Sequence, residues 1–335
     1  RKIEMIIYGV DWSHKEEKTA IFYDGGLLKK EPDYQAGDIV ATENMPHHKL
    51  VALHHKGVVV YKCNTNLTKQ IRDRDGVDKT DENDAEIIYS QFSEWSKHQS
   101  DETFRKFRYD SWRERLSYLD KEGLDKKEVS KKSKQRVAND PILALLCAED
   151  VKDGINAVLR HDTKLKNHLI KGERDNGEKG SLIYNEYLKD IDGLGVRSAA
   201  GLISIIGEIE RFSTVSKLWA YFGLDVRNGK APKRKKGQLA NWSQRGRSLV
   251  LNDIVSNGFK MCGAATSKRP EPFVWRAIYD DFKEQEIKKN EARTEEEKLS
   301  KGHMDNRAIR RTGKEFLKGL YNKWKSLEKI ELSDG

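Results

Sequence analysis

At 335 residues, with 35% charged and 36% hydrophobic side chains, the chain is long enough for two or more domains. No apolar run approaches the eighteen or so residues that a membrane span needs, and a formal net charge of +9 favours a polyanionic partner. Cys63, Cys147 and Cys262 lie far apart with no CxxC pair, which argues against a zinc site or a disulfide framework and suits a reducing cytoplasm.

In chain order, Ile6 to Ser13 reads as a buried strand carrying Asp11 near its end, and Lys18 to Tyr23 as a second strand joined through a polar turn. A carboxylate at the end of a central strand is where a ribonuclease-H-like sheet holds its first metal ligand. Gly37 to Glu43 looks like another strand ending in an acid. His48 to Lys56 then gives a short helix and Gly57 to Lys62 a further strand. Strand, helix and strand in that order imply a crossover and parallel pairing.

The stretch Asp78-Lys79-Thr80-Asp81-Glu82-Asn83-Asp84-Ala85 heads an amphipathic helix whose apolar stripe is Ile87, Ile88, Phe92 and Trp95. Asp81 and Asp84 are three apart, so they share one helix face and can point at one ion. Taken alone, Thr80 or Asp81 at the helix start, with Asp84 following in the first turn, also reads as an N-terminal capping arrangement. Together with Asp11 and Glu43 the four acids suit a pair of magnesium or manganese ions about 4 Å apart around one phosphate.

Residues 99–185 read as a helical or coiled-coil spacer with narrow apolar faces (Trp112, Leu116, Leu119; Ile142 to Leu146; Val151, Ile155, Val158, Leu159), a place for dimerisation. The Lys126 to Arg136 run reads as a solvated face, and Asp175 to Gly180 as a turn. From residue 186 a C-terminal domain begins. Gly193, Gly195 and Arg197 lie in a helix-hairpin-helix-like turn, which either presents backbone N–H groups to a phosphate or simply packs two helices closely. Arg227, Lys230, Lys233, Arg234, Lys235, Lys236, Arg245 and Arg247, with no acid among them and Trp242 between, make a nucleic-acid-binding stretch. Residues 280–300 are almost all charged. Asn306 to Lys325 then forms an amphipathic helix with Ile309, Phe316, Leu320 and Trp324 on one side, whose basic residues Arg307, Arg310, Arg311, Lys314 and Lys318 either extend the nucleic-acid surface or, as the safer reading, are incidental to packing.

The residues GVDWS, the isolated Glu43 and KTDENDA resemble the RuvC-like DEDD nuclease domain of the bridge-RNA-guided insertion-sequence transposases, over about residues 5–95. Residues 188–260, with the Gly193-Leu194-Gly195 turn, the Glu208 to Phe212 turn and Leu218 to Leu224, resemble the C-terminal domain of the same family. That family places its serine nucleophile where this chain has Arg227-Asn228-Gly229-Lys230, and Ser243 lies further on. Acids kept and nucleophile lost is a combination similar to the TasR-type effectors of TIGR-Tas systems, whose C-terminal domain resembles a Nop domain. The resemblance implies an α/β RuvC-like nuclease domain (1–98), the helical spacer (99–185) and an α-helical Nop-like RNA-binding domain (186–335). It further implies a prokaryotic or phage-encoded, RNA-guided, magnesium-dependent DNA endonuclease acting as a homodimer on target DNA with a guide RNA. The alternatives are a guided recombinase with an unusual nucleophile, a catalytically silent RNA-guided scaffold, and a Holliday-junction resolvase that needs no RNA.

Overall fold

A computed structural model describes residues 5–12, 19–28, 30–63, 67–99, 103–138, 140–174, 177–226, 231–233, 240–262 and 273–333. The chain divides into two units, residues 1–109 and 110–335. The first is built on a six-stranded mixed sheet in the order β3-β2-β1-β4-β5-β6. β1 (Ile7–Trp12), β2 (Thr19–Tyr23) and β3 (Gly26–Leu28) form an antiparallel meander, while β4 (Ile39–Thr42) and β5 (Val59–Cys63) run parallel to β1. β6 (Phe104–Lys106) closes the far edge antiparallel to β5. The expected crossover is therefore present, made by α1 (His47–His55) between β4 and β5.

Alternation along β1 sorts its side chains to two faces. Tyr8 and Val10 join Val40, Leu50, Leu53 and Val60 in a core under α1. The opposite face packs Ala41, Ile88, Phe92 and Phe104 together under α3 (Asp81–His98). Between β5 and α3 lies a further short helix, α2 (Leu67–Asp75).

Among its described residues the second unit is helical, apart from an isolated bridge between Glu173 and Lys179. Asp110 caps α4 (Ser111–Val137), and Asp140, followed by Pro141, caps the short α5 (Pro141–Leu146), both as acids at a helix start should. α6 (Ala148–Lys171) returns along α4. After α7 (Leu182–Glu186) come α8 (Val196–Ile206) and α9 (Val215–Tyr221). α10 (Gln244–Ser248) runs directly into a π-helical stretch, Leu249–Ser256, and α11 (Val274–Glu291) and α12 (Lys301–Ser333) end the chain.

The expected three-part division differs from this in two ways. β6 carries the sheet past residue 98, because Phe104 fills the α3 side of the sheet beside Phe92 at a ring separation of 5.1 Å. The helices of 99–185 also do not stand apart as a spacer. Trp112, Leu116, Leu165 and Leu169 share one core with Leu202, Phe222, Val250, Phe316 and Leu320.

Candidate functional site

Strand register and the packing of α3 on β1 gather the four acids at one end of the sheet. β1 and β4 pair with Val10 opposite Thr42, so Asp11 and Glu43, one residue beyond, sit side by side. Both belong to the alternation of Gly9 and Ala41, which faces α3. Gly9 allows the approach: a Cβ there would lie 2.4 Å from the Ala85 carbonyl oxygen and 2.5 Å from the Tyr89 nitrogen. With no side chain at that point α3 rests directly on β1, and its first turn reaches the sheet end. The capping role falls to Thr80, whose Oγ1 accepts from the Asn83 N–H at 3.1 Å, leaving Asp81 and Asp84 free of it. The cap and the shared acidic face are thus both present.

Asp11, Glu43 and Asp84 are each 7% exposed, and Asp81 is partly exposed. Burial, then the charges of Asp84, Asp81 and Glu43, push the Asp11 carboxyl up to about 7. Burial also raises Glu43, against hydrogen bonds from Thr68 that lower it. α2 supplies both partners of this cluster. Thr68 Oγ1 donates to Glu43 Oε2 at 2.7 Å, and Arg72 Nη1 donates to Asp84 Oδ1. Thr68 and Arg72 are four apart, hence on one face of α2. Sequence reading missed them; the only signal was Thr and Arg at helical spacing just upstream of KTDENDA.

Buried, mutually repelling carboxylate oxygens are the donor set a hard divalent cation takes, and burial together with the neighbouring acids raises Asp11. In the arrangement as it stands, no three histidine, cysteine, aspartate or glutamate side chains among the described residues converge tightly enough to hold one ion. Asp84 is instead turned to Arg72, which provides the positive charge the cluster needs.

The second unit receives the other expected residues. Arg227, Lys230, Arg234, Lys235 and Lys236 lie outside the described residues. Gly193 takes φ +82°, and a Cβ there would meet Gly258 and Cys262 at 2.9 Å, so it serves close packing. Gly195 precedes α8, with open space where a Cβ would lie. Arg197 forms an ion pair with Asp162 at 3.0 Å. Arg245 is bound to Asp120, a 5% exposed acid inside the helical core, which makes it a structural partner. Lys233, Trp242 and Arg247, by contrast, line one open groove. Trp242 lies against Gly223, and the Arg247 guanidinium sits 5.6 Å from its ring.

A mixed sheet ordered in this way, with acids gathered at the ends of β1 and β4 and at the start of α3, is consistent with an α/β nuclease fold followed by a helical unit. Residues 185–255, in the helical unit, match the family model described as "Transposase IS116/IS110/IS902 family", a minor part of the chain. No curated protein matches the sequence.

Proposed function

We propose that the chain is an RNA-guided DNA endonuclease of the TasR type, related to the insertion-sequence transposases, with the acidic cluster as its cutting site and a Nop-like helical unit as the holder of guide RNA. The observation that carries this reading is the gathering of Asp11, Glu43, Asp81 and Asp84 at one end of the sheet, where burial, and then the charges of the other three, raise Asp11. These four residues would hold magnesium or manganese, which when bound would supply a Lewis acid and a water nucleophile at neutral pH. Thr68 orients Glu43 by hydrogen bond, and Arg72 steadies Asp84 and offsets the charge of the cluster. The basic stretch from Arg227 to Arg247 would follow the RNA backbone. Exposed Ile142, Leu145 and Leu146 on α5 offer an apolar surface suited to a homodimer.

Guided recombination is the second reading, favoured by the family match over 185–255. It requires a nucleophile, and Ser243 is a poor one here, because its Oγ accepts the Gly246 N–H at 3.0 Å as the cap of α10. A DNA end linked to protein in the wild type and lost in Ser243→Ala would establish it.

Sequencing the small RNA that copurifies with the protein, expressed from its own locus, separates the readings. Short, uniform RNAs with paired variable segments are expected. One longer structured RNA would favour the recombinase, and absence of any specific RNA would overturn both guided readings.

A further inference from the structure

Burying positive charge without an anion is costly, yet the helical unit gathers three partly buried cations that make no ion pair among the described residues. Arg310, on α12, has its guanidinium Nε buried and without a hydrogen-bond partner. Its neighbours Arg307 and Arg311 both pair with Glu286, at 3.5 and 3.4 Å, so the orphan is specific to Arg310. Lys314, one turn on, holds its ammonium 4.0 Å from the Trp219 ring. α12 packs on the π-helical stretch, where a Cβ at Gly313 would touch Val250 at 2.9 Å. That packing brings Arg310 within range of Arg247, whose charge repels it. Arg247 spends one N–H on the Pro232 carbonyl at 2.8 Å and is also partly buried. Among the described residues, the acid that bears on Arg247 and Lys314 is Asp225, one carboxylate against three cations.

Arg247 is also a wall of the groove of about 480 Å³ that Lys233, Trp242, Gln244 and Asn252 share. An aromatic face, amide groups and a cationic end in one concavity match the parts of a nucleotide: a base to stack, base edges to hydrogen-bond and a phosphate to neutralise.

We propose that this groove seats one unpaired nucleotide, its phosphate against Arg247, with Arg310 and Lys314 of α12 adding positive charge behind that wall, and its base beside Trp242. The inference deepens the RNA-binding reading of this unit and rests on it. RNA and DNA share the chemistry, and the test tells them apart.

Fluorescence anisotropy of labelled twelve-nucleotide oligo-U and oligo-dT, titrated with the full chain in EDTA at several salt concentrations, reads the site directly. Arg310→Gln should weaken binding of the preferred strand about tenfold and lower the salt slope by about one, and Trp242→Leu should weaken it by a similar factor. Lys132→Gln, which removes one exposed charge paired with Glu128 on α4, serves as control and should change affinity less than about twofold. Arg310→Gln should melt no lower than wild type, since it removes a buried unpaired charge, and Arg310→Lys should keep the slope. Binding by Arg310→Gln no weaker than the Lys132→Gln control, or a loss that tracks a lowered melting temperature, overturns the seat. Stronger binding of oligo-U assigns the seat to guide RNA, and stronger binding of oligo-dT assigns it to a DNA strand. Because no metal or cleavage enters the assay, failure of the endonuclease reading leaves this result standing, and the reverse holds too.

Discussion

At the scale of single residues, the acidic cluster is held by opposed forces that can be separated by substitution. Asp11 is raised from 3.8 to about 7, so folding favours its protonated form. That contribution is whole below about pH 4 and is lost as pH climbs through about 7. In metal-free buffer the melting temperature of the wild type should therefore fall relative to Asp11→Asn across that window, and a pH-independent difference would contradict the burial of an uncompensated carboxyl. Arg72 and Asp84 are each 10% exposed at the side chain, so Arg72→Gln strands a buried charge. A loss of about 3 kcal/mol in urea denaturation with EDTA is expected. Manganese, measured by calorimetry, should bind Arg72→Gln more tightly than wild type, because Asp84 no longer answers to an internal cation; weaker binding would mean that Arg72 helps to build the site.

Among the secondary-structure elements, the contact of α3 with β1 decides whether the acids meet. Gly9→Ala would drive a methyl group into the Ala85 and Tyr89 backbone, which cannot yield as a side chain end can. It should cost about 1–3 kcal/mol and abolish stabilisation by magnesium in a thermal melt, since α3 must lift away from Asp11. Much at this scale was legible beforehand. Hydrophobic runs ending in acids marked β1 and β4, and the period of Ile88 and Phe92 marked α3. β3 and β6 were missed because three-residue edge strands carry too little pattern to stand out from loops. α2 was missed for another reason: its value lies in where Thr68 and Arg72 end up, which depends on tertiary packing alone. The same holds on α12, where nothing local distinguishes Arg310 from Arg307 and Arg311. Only Glu286, contributed by α11, separates paired from orphaned. Likewise a run of bases could not reveal that Arg197 and Arg245 are claimed by Asp162 and Asp120.

For the whole molecule, the excess of positive charge and the acidic cluster have to be reconciled, since the acids would repel the DNA they are proposed to cut. Divalent metal, if held there, would resolve the conflict by turning the cluster into an attractor for phosphate. Cleavage should therefore need magnesium or manganese absolutely, whereas nucleic-acid retention should depend on salt and not on metal. The most direct measurement loads the protein with its copurified RNA and offers supercoiled DNA carrying the complementary target, with magnesium or EDTA, as wild type and as Asp11→Asn. The account predicts strand scission by the wild type with magnesium alone, with Asp11→Asn reduced by at least about a thousandfold while still holding the RNA. Equal cutting by Asp11→Asn, or cutting in EDTA, would contradict it.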